Sequence, residues 1–245
     1  MMIQQQARVP ADMESKKELL ACIYGVYARW VERFPLVCKK GCASCCTQSV
    51  TMTNLEGVMI LDFLKVRGRD SWLAEQLARR ATENKGAAIT TNQYARACLE
   101  HQEVAEDTLG DWNFTPCIFL NEDACSIYEV RPFGCRSFGS LVCCSDKSGA
   151  EIAPIHLTVN TVFTQIIEHI CSDGGYWGNM ADILGDQIES KPLASTRRLL
   201  PAQPLPGFLL GAHEVKLIHI LLKQLYEQSV EKQTFGDLID NFMPI

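Results

Sequence analysis

Four cysteines within nine residues constrain this chain more than any other feature of its sequence. They form the segment Cys38-Lys-Lys-Gly41-Cys42-Ala-Ser-Cys45-Cys46. Four thiols so close together would crowd an ordinary surface loop, whereas soft ligands at steps of three and four residues let one loop fold around a metal centre. Gly41 permits the tight backbone that such a loop needs. The block therefore predicts metal ligation by thiolates.

A second group of cysteines, Cys117, Cys125 and Cys135, follows about seventy residues further along the chain. The gaps between them are too wide for spacing alone to identify a site. Short β-prone runs between Cys117 and Tyr128 surround a polar segment at 121–124, and this pattern predicts a hairpin. Such a hairpin brings Cys117 and Cys125 together.

Two arginines flank the third cysteine of this group. Arg131 and Arg136 could donate hydrogen bonds to anionic sulfur, as partners around a metal often do. They could equally be ordinary surface charges, and the sequence leaves both interpretations open.

The total of 12 cysteines in 245 residues does not indicate a disulfide framework. The cysteines are bunched, and the chain is long enough to bury a core without disulfides or metals. We expect a cytoplasmic protein, because the N-terminus lacks the apolar segment of a secretory signal and no apolar run is long enough to span a bilayer. The cytosol keeps thiols reduced, which also disfavours disulfides.

The charge of the chain excludes one class of partner. The formal net charge is −6 and no run of Lys and Arg exceeds two residues. Nucleic-acid binding normally requires a basic face, so nucleic acid and membrane are not expected partners. A metal ion is the expected partner, and a protein partner stays open.

Apolar periodicity predicts a mainly α fold with a small, irregular cysteine-rich metal-binding element that contains the β-hairpin. A capping box at Thr53 and Glu56 predicts a helix start. Helices are predicted at about 12–34, 53–67, 70–83, 89–106, 157–171, 177–189 and 213–231, with a β-prone stretch at 49–52 and an extended proline-rich connector at 192–208. We expect a helical cysteine-cluster domain at 1–145 and a helical C-terminal extension at 146–245 packed on it.

The two cysteine blocks resemble the YkgJ-type cysteine-cluster family, described as zinc- or iron-chelating domains with a CxxxCxxCC block. The second block runs from Pro116-Cys117-Ile-Phe-Leu120 through Cys125-Ser-Ile-Tyr-Glu129 and Arg131-Pro132 to Cys135-Arg136-Ser-Phe138. The resemblance covers about residues 36–140 and says nothing of the rest. It implies seven metal ligands: Cys38, Cys42, Cys45, Cys46, Cys117, Cys125 and Cys135.

The identity of the metal stays open between iron and zinc. Seven thiolates exceed the four that one tetrahedral zinc accepts, and a CxxxCxxC triad with a distant fourth ligand suits a [4Fe–4S] cluster. The many thiolates and the lack of a histidine in the motif favour iron–sulfur slightly.

Three functions are compatible with these residues. The first is a protein that chelates iron or zinc to store, deliver or sense it, or to hold its fold. The second is a metal- or iron–sulfur-dependent enzyme, since the flagellin lysine N-methylases, which act with S-adenosylmethionine, resemble this type of block. The third is a thiol-redox protein without metal. No catalytic residue can be assigned, and the roles of Cys143, Cys144 and Cys171 stay open.

Three expectations concern geometry. Cys38, Cys42 and Cys45 should converge on one centre, and the 117–135 segment should pack directly on the 38–46 loop. Neighbouring side chains in irregular backbone diverge, so Cys46 should face a second metal or another role, which divides seven thiolates into four and three.

Overall fold

The computed structural model describes residues 12–78, 88–105, 114–147, 149–188, 199–230 and 232–239. Its helices are α1 Met13–Val31, α2 Asn54–Val66, α3 Asp70–Ala78, α4 Thr91–Leu99, α5 Phe133–Ser137, α6 Cys144–Lys147, α7 Pro154–Ile170, α8 Met180–Ile188, α9 Ala212–Tyr226 and α10 Phe235–Leu238. Its strands are β1 Thr51–Thr53, β2 Leu120–Asn121, β3 Ala124–Cys125, β4 Tyr176–Asn179, β5 Leu200–Pro201, β6 Ser229–Val230 and β7 Gln233–Thr234.

The expectation of a mainly helical fold with a small β element is confirmed. The predicted capping box begins α2, where the Thr53 side chain accepts from the Glu56 N–H and the Glu56 carboxylate accepts from the Thr53 N–H. The predicted hairpin is present as β2 and β3, with Leu120 opposite Cys125. Glu122 takes a positive φ of 47° in its turn.

One predicted helix start was wrong and one short helix was not predicted. The helix expected at 177–189 begins only at Met180, because residues 176–179 form β4, which pairs with both β1 and β5. Residues 199–208 of the predicted connector form no helix and include β5. The short helix α5, which contains Cys135, was not predicted, because five residues are too few to show a helical period. Residues 79–87, 106–113 and 189–198, which complete three of the predicted segments, lie outside the described residues.

Two hydrophobic cores organise the chain. The first joins α1, α7 and α9, with buried residues such as Leu19, Phe163 and Leu222. The second joins α2, α3 and α8 to Ile118 and Phe119 of the hairpin segment. The antiparallel sheet β1-β4-β5 connects residues on either side of position 145, the predicted domain boundary. Both parts therefore contribute to the first core and to this sheet, and the domain division stays a prediction.

None of the helices in the described ranges is long and apolar enough to cross a membrane.

The Glu56 carboxylate ties the cysteine-bearing helix α5 to the rest of the fold. It is 3% exposed. Besides the capping bonds to Thr53, it accepts from the Tyr24 hydroxyl of α1 at 2.9 Å and from the Phe133 N–H at 2.7 Å. A buried carboxylate is costly unless its oxygens are hydrogen-bonded, and these donors provide that compensation. Because α5 begins at Phe133, this carboxylate sets where Cys135 lies.

Replacing this carboxylate should destabilise the protein. The Thr53 hydroxyl is a fourth donor to this carboxylate. We expect Glu56→Gln to lower the free energy of unfolding by about 2–4 kcal/mol, because an amide cannot accept from all four donors. Urea denaturation measures the change. The control is Glu14→Gln, which removes an exposed carboxylate 3.4 Å from the Lys17 Nζ. Its effect should stay below about 0.5 kcal/mol. Equal effects of the two substitutions would contradict the role assigned to Glu56.

Candidate metal centre

The expectation that the two cysteine blocks pack together is confirmed by backbone pairing. The Cys117 N–H donates to the Cys46 carbonyl at 2.9 Å, and the Gln48 N–H donates to the Thr115 carbonyl at 2.9 Å. Thr47 and Pro116 form an isolated antiparallel bridge between these bonds. Backbone hydrogen bonds of this kind fix the register between the blocks.

One cavity of about 560 Å³ lies where the blocks meet. All seven cysteines predicted as ligands line it: Cys38, Cys42, Cys45, Cys46, Cys117, Cys125 and Cys135. The structure therefore brings together residues that are separated by about seventy positions in the sequence.

The remaining wall of the cavity contains residues that sequence analysis missed. Trp177 and Met180 come from β4 and the start of α8, in the C-terminal part of the chain. They reach the cavity because β4 pairs with β1 directly after the first cysteine block. The Met180 N–H also donates to the Val50 carbonyl at 2.9 Å. Strand pairing between distant residues has no local signature, so no sequence pattern could have identified this wall.

Backbone amides point at the sulfurs of both blocks. The Ser140 N–H donates to the Cys38 Sγ at 3.2 Å, and the Phe119 N–H donates to the Cys117 Sγ at 3.5 Å. The Ile127 N–H acts in the same way on Cys125 and lowers the pKa of its thiol against the larger effect of burial. Hydrogen bonds to sulfur favour the anionic thiolate, which is the form that binds metals. The donor set therefore fits a metal–thiolate centre.

Electrostatic contacts divide the thiols into two neighbourhoods. The charges that act on Cys38 come from Cys42, Cys45 and Cys144. Those that act on Cys46 come from Cys117, Cys135 and Cys125. The two neighbourhoods meet at Cys45, whose charge also acts on Cys135.

The Cys45 and Cys46 side chains contact each other, so the expectation that these neighbouring side chains diverge was wrong. The Cys45 thiol donates a hydrogen bond to the Cys46 sulfur, and this bond is the main reason that the pKa of Cys45 is raised and that of Cys46 is lowered.

Burial keeps several of the other thiols protonated. It raises the pKa of Cys117 to about 11 and raises the pKa of Cys135 strongly. In the ranges that the structure describes, no three His, Cys, Asp or Glu side chains are grouped closely enough to hold a metal ion. The convergence of Cys38, Cys42 and Cys45 on one centre therefore stays a prediction.

The two arginines of the second block have different surroundings. Arg136 donates from Nε to the Arg131 carbonyl at 2.8 Å and from Nη2 to the Glu129 carbonyl, and it lies over the Tyr24 ring. These two bonds hold the backbone of the loop and occupy two of the five N–H groups of Arg136. Arg131 instead lies over the Tyr128 ring, and its charge acts on the Cys45, Cys125 and Cys135 thiols.

Other candidates lie away from the cavity. His169 is fully buried in α7, and its Nδ1 accepts from the Leu205 N–H at 3.1 Å, which is a structural role. Cys171 is buried at the end of α7, where burial raises its pKa to about 12. Cys143 is exposed beside Ser145.

Comparisons with family models, curated proteins and solved structures gave no match for this chain. The resemblance to the cysteine-cluster family therefore rests on the motif residues alone.

Alkylation should separate these thiols by rate. With iodoacetamide at pH 7, the exposed Cys42 and Cys143 should react first and Cys171 last, because Cys171 is 2% exposed and has a raised pKa. With a pKa near 12, roughly one molecule in 10⁵ carries the Cys171 thiolate at this pH. Raising the pH should therefore speed its reaction. Peptide mass spectrometry over time measures the order, and equal rates for Cys42 and Cys171 would contradict it.

Proposed function

We propose that this protein binds iron or zinc through the thiolates of its cysteine cavity. The observation that supports this most directly is that all seven cysteines of the two blocks line one cavity. Core cysteines would have no reason to gather there, and Cys42 and Cys45 are exposed rather than packed in a core.

The chemistry of the donors limits the choice of metal. Among the described residues that line the cavity, none is Asp, Glu or His. Thiolates without carboxylate or imidazole donors select zinc or iron–sulfur clusters over magnesium, calcium or manganese. The number of thiolates favours iron, held as an iron–sulfur cluster, over a single tetrahedral zinc.

The two thiol neighbourhoods support a division into two sites. Cys46 shares its surroundings with all three cysteines of the second block, which makes four thiols. Cys38, Cys42 and Cys45 are the three predicted ligands of the other set, and Cys144, which also acts on Cys38, does not line the cavity. A set of three thiolates leaves one coordination position open for water, a substrate or a transferred metal. The division deepens the proposal but is not required by it.

The direct test is anaerobic purification followed by elemental analysis and an absorption spectrum. We expect iron or zinc at one or more equivalents in the wild-type protein, with visible absorption if a cluster is present. Cys135→Ser should lower the metal content and lower the melting temperature by roughly 5–10 °C, because metal binding contributes to folding stability.

Cys98→Ser is the matched control for this test. Cys98 is a half-buried thiol on α4 that does not line the cavity, so its loss should leave the metal content unchanged. Unchanged metal in Cys135→Ser would remove Cys135 from the site. Wild-type protein without metal, after reconstitution with both iron and zinc, would refute the proposal.

Substituting Cys46 tests the division into two sites. We expect Cys46→Ser to lose part of the bound metal while the set containing Cys38 stays filled, because the Cys46 neighbours differ from those of Cys38. Metal per protein chain, measured beside an exposed control, Cys143→Ser, gives the answer. Complete loss of bound metal would indicate one shared centre. Full retention of metal would show that Cys46 is not a ligand.

A second function, a metal- or iron–sulfur-dependent enzyme, is favoured by the size of the cavity. A volume of about 560 Å³ far exceeds that of a metal ion and falls in the range of small-molecule sites. Trp177 and Met180 supply apolar surface that a metal does not need. A protein lysine N-methylase-like enzyme acting with S-adenosylmethionine belongs to this class.

A spectroscopic titration discriminates between the two functions. S-adenosylmethionine added to the metal-loaded protein alters the electronic spectrum of a centre with an open position and leaves a saturated centre unchanged. A saturated centre supports storage, sensing or a structural role.

A further inference from the structure

Arg131 is placed in the cavity wall with unused hydrogen-bonding capacity. Its guanidinium carbon lies 3.8 Å from the centre of the Tyr128 ring, which fixes the plane of the group. Its Nε is buried and, among the described residues, has no hydrogen-bond partner. A buried donor without a partner costs free energy, so a partner supplied by a ligand or a charged sulfur would be stabilising.

The charge of Arg131 is also unmatched by any carboxylate in the described part of the chain. It forms no ion pair there, and the residues that line the cavity include no Asp or Glu. The groups that face it are thiols from both blocks: Cys45 from the first, and Cys125 and Cys135 from the second. The negative charge available to balance this arginine is therefore thiolate.

We propose that Arg131 is the counter-charge of the metal–thiolate centre and donates its Nε–H to a metal-bound sulfur. This inference rests on the proposed metal binding and deepens it. A metal held by four thiolates carries net negative charge, and a rigid guanidinium provides both a positive charge and directed N–H groups. Arg131 is a positioning residue in this sense, since it acts on the metal through its ligands.

Arg136 does not share this role, although it also flanks Cys135. Two of its five N–H groups, including the Nε–H, already donate to the Arg131 and Glu129 carbonyls, whereas the Arg131 Nε–H has no partner among the described residues. The Arg136 bond is made to the backbone of Arg131, so replacing the Arg131 side chain leaves it in place. The Arg131 side chain can therefore be replaced while the hydrogen bond from Arg136 to the loop backbone stays in place.

The test is the affinity of the full chain for zinc, measured by competition with a chromogenic chelator. Loss of an outer hydrogen-bond partner typically costs 10–100-fold in metal affinity, and we expect that loss in Arg131→Met. Arg131→Lys keeps the charge but lacks the forked set of N–H donors. Its zinc affinity should therefore lie between that of the wild type and that of Arg131→Met. The melting temperature of the metal-free Arg131→Met protein should not fall, because the substitution removes an unpaired charge.

Arg69→Met is the matched control, since the Arg69 guanidinium lies 3.7 Å from the centre of the Trp72 ring but does not line the cavity. Its zinc affinity should equal that of the wild type. Arg131→Met with wild-type affinity overturns the inference and leaves the proposed function intact. A fall in zinc affinity in both Arg131→Met and Arg69→Met overturns it as well. So does a fall in the metal-free melting temperature of Arg131→Met alone, because that fall indicates a structural role. Failure of the wild type to bind zinc or iron refutes the proposed function itself.

Discussion

The Glu56 carboxylate lies where α1, α2 and α5 meet, and the geometry of the cysteine cavity depends on it. It closes the capping box that begins α2, binds the Tyr24 hydroxyl and accepts from the first N–H of α5. Strand β1, which precedes Glu56, follows the first cysteine block, and α5 contains the last cysteine of the second. A single acidic side chain that does not line the cavity thus ties the start of α5 to the helix that follows the first block. Buried polar groups of this kind specify one arrangement of a fold because every alternative leaves them unsatisfied.

The C-terminal part of the chain completes the same arrangement. Strand β4 pairs with β1, and the Asn179 side chain donates to the Gln48 carbonyl at 2.6 Å. Gln48 in turn donates from its side chain to the Pro116 carbonyl, which links β4 to the segment before Cys117. The cavity therefore has three supports: the loop of the first block, the hairpin of the second, and the strand that brings Trp177. Residues 176–180 are part of the candidate site even though they contain no cysteine.

Local patterns predicted the parts of this protein that are governed by local physics. The long amphipathic helices, the capping box at Thr53 and the hairpin between Cys117 and Cys125 follow from periodicity and turn residues. The contact between the two cysteine blocks was predicted from the number of ligands that a metal needs, and not from a local sequence pattern. The role of Glu56, the strand at Trp177 and the different surroundings of Arg131 and Arg136 depend on contacts between distant residues. A hydrophobic period contains no information about such contacts, so the sequence could indicate the ligands but not the structure that holds them.

The charge balance of the cavity explains why cations line a site made of thiols. Lys39, Arg131 and Arg136 line it, and no acid among the described lining residues offsets them. Burial raises the pKa of Cys117 and Cys135, which favours neutral thiols without a metal, and Arg131 then has no anionic partner among the described residues. A metal that binds must displace protons from the thiols, because only thiolates coordinate it, and the resulting centre is anionic. The cations then face negative charge instead of neutral sulfur. The unmatched charge of the half-buried Arg131 therefore favours an anionic occupant of the cavity over neutral thiols.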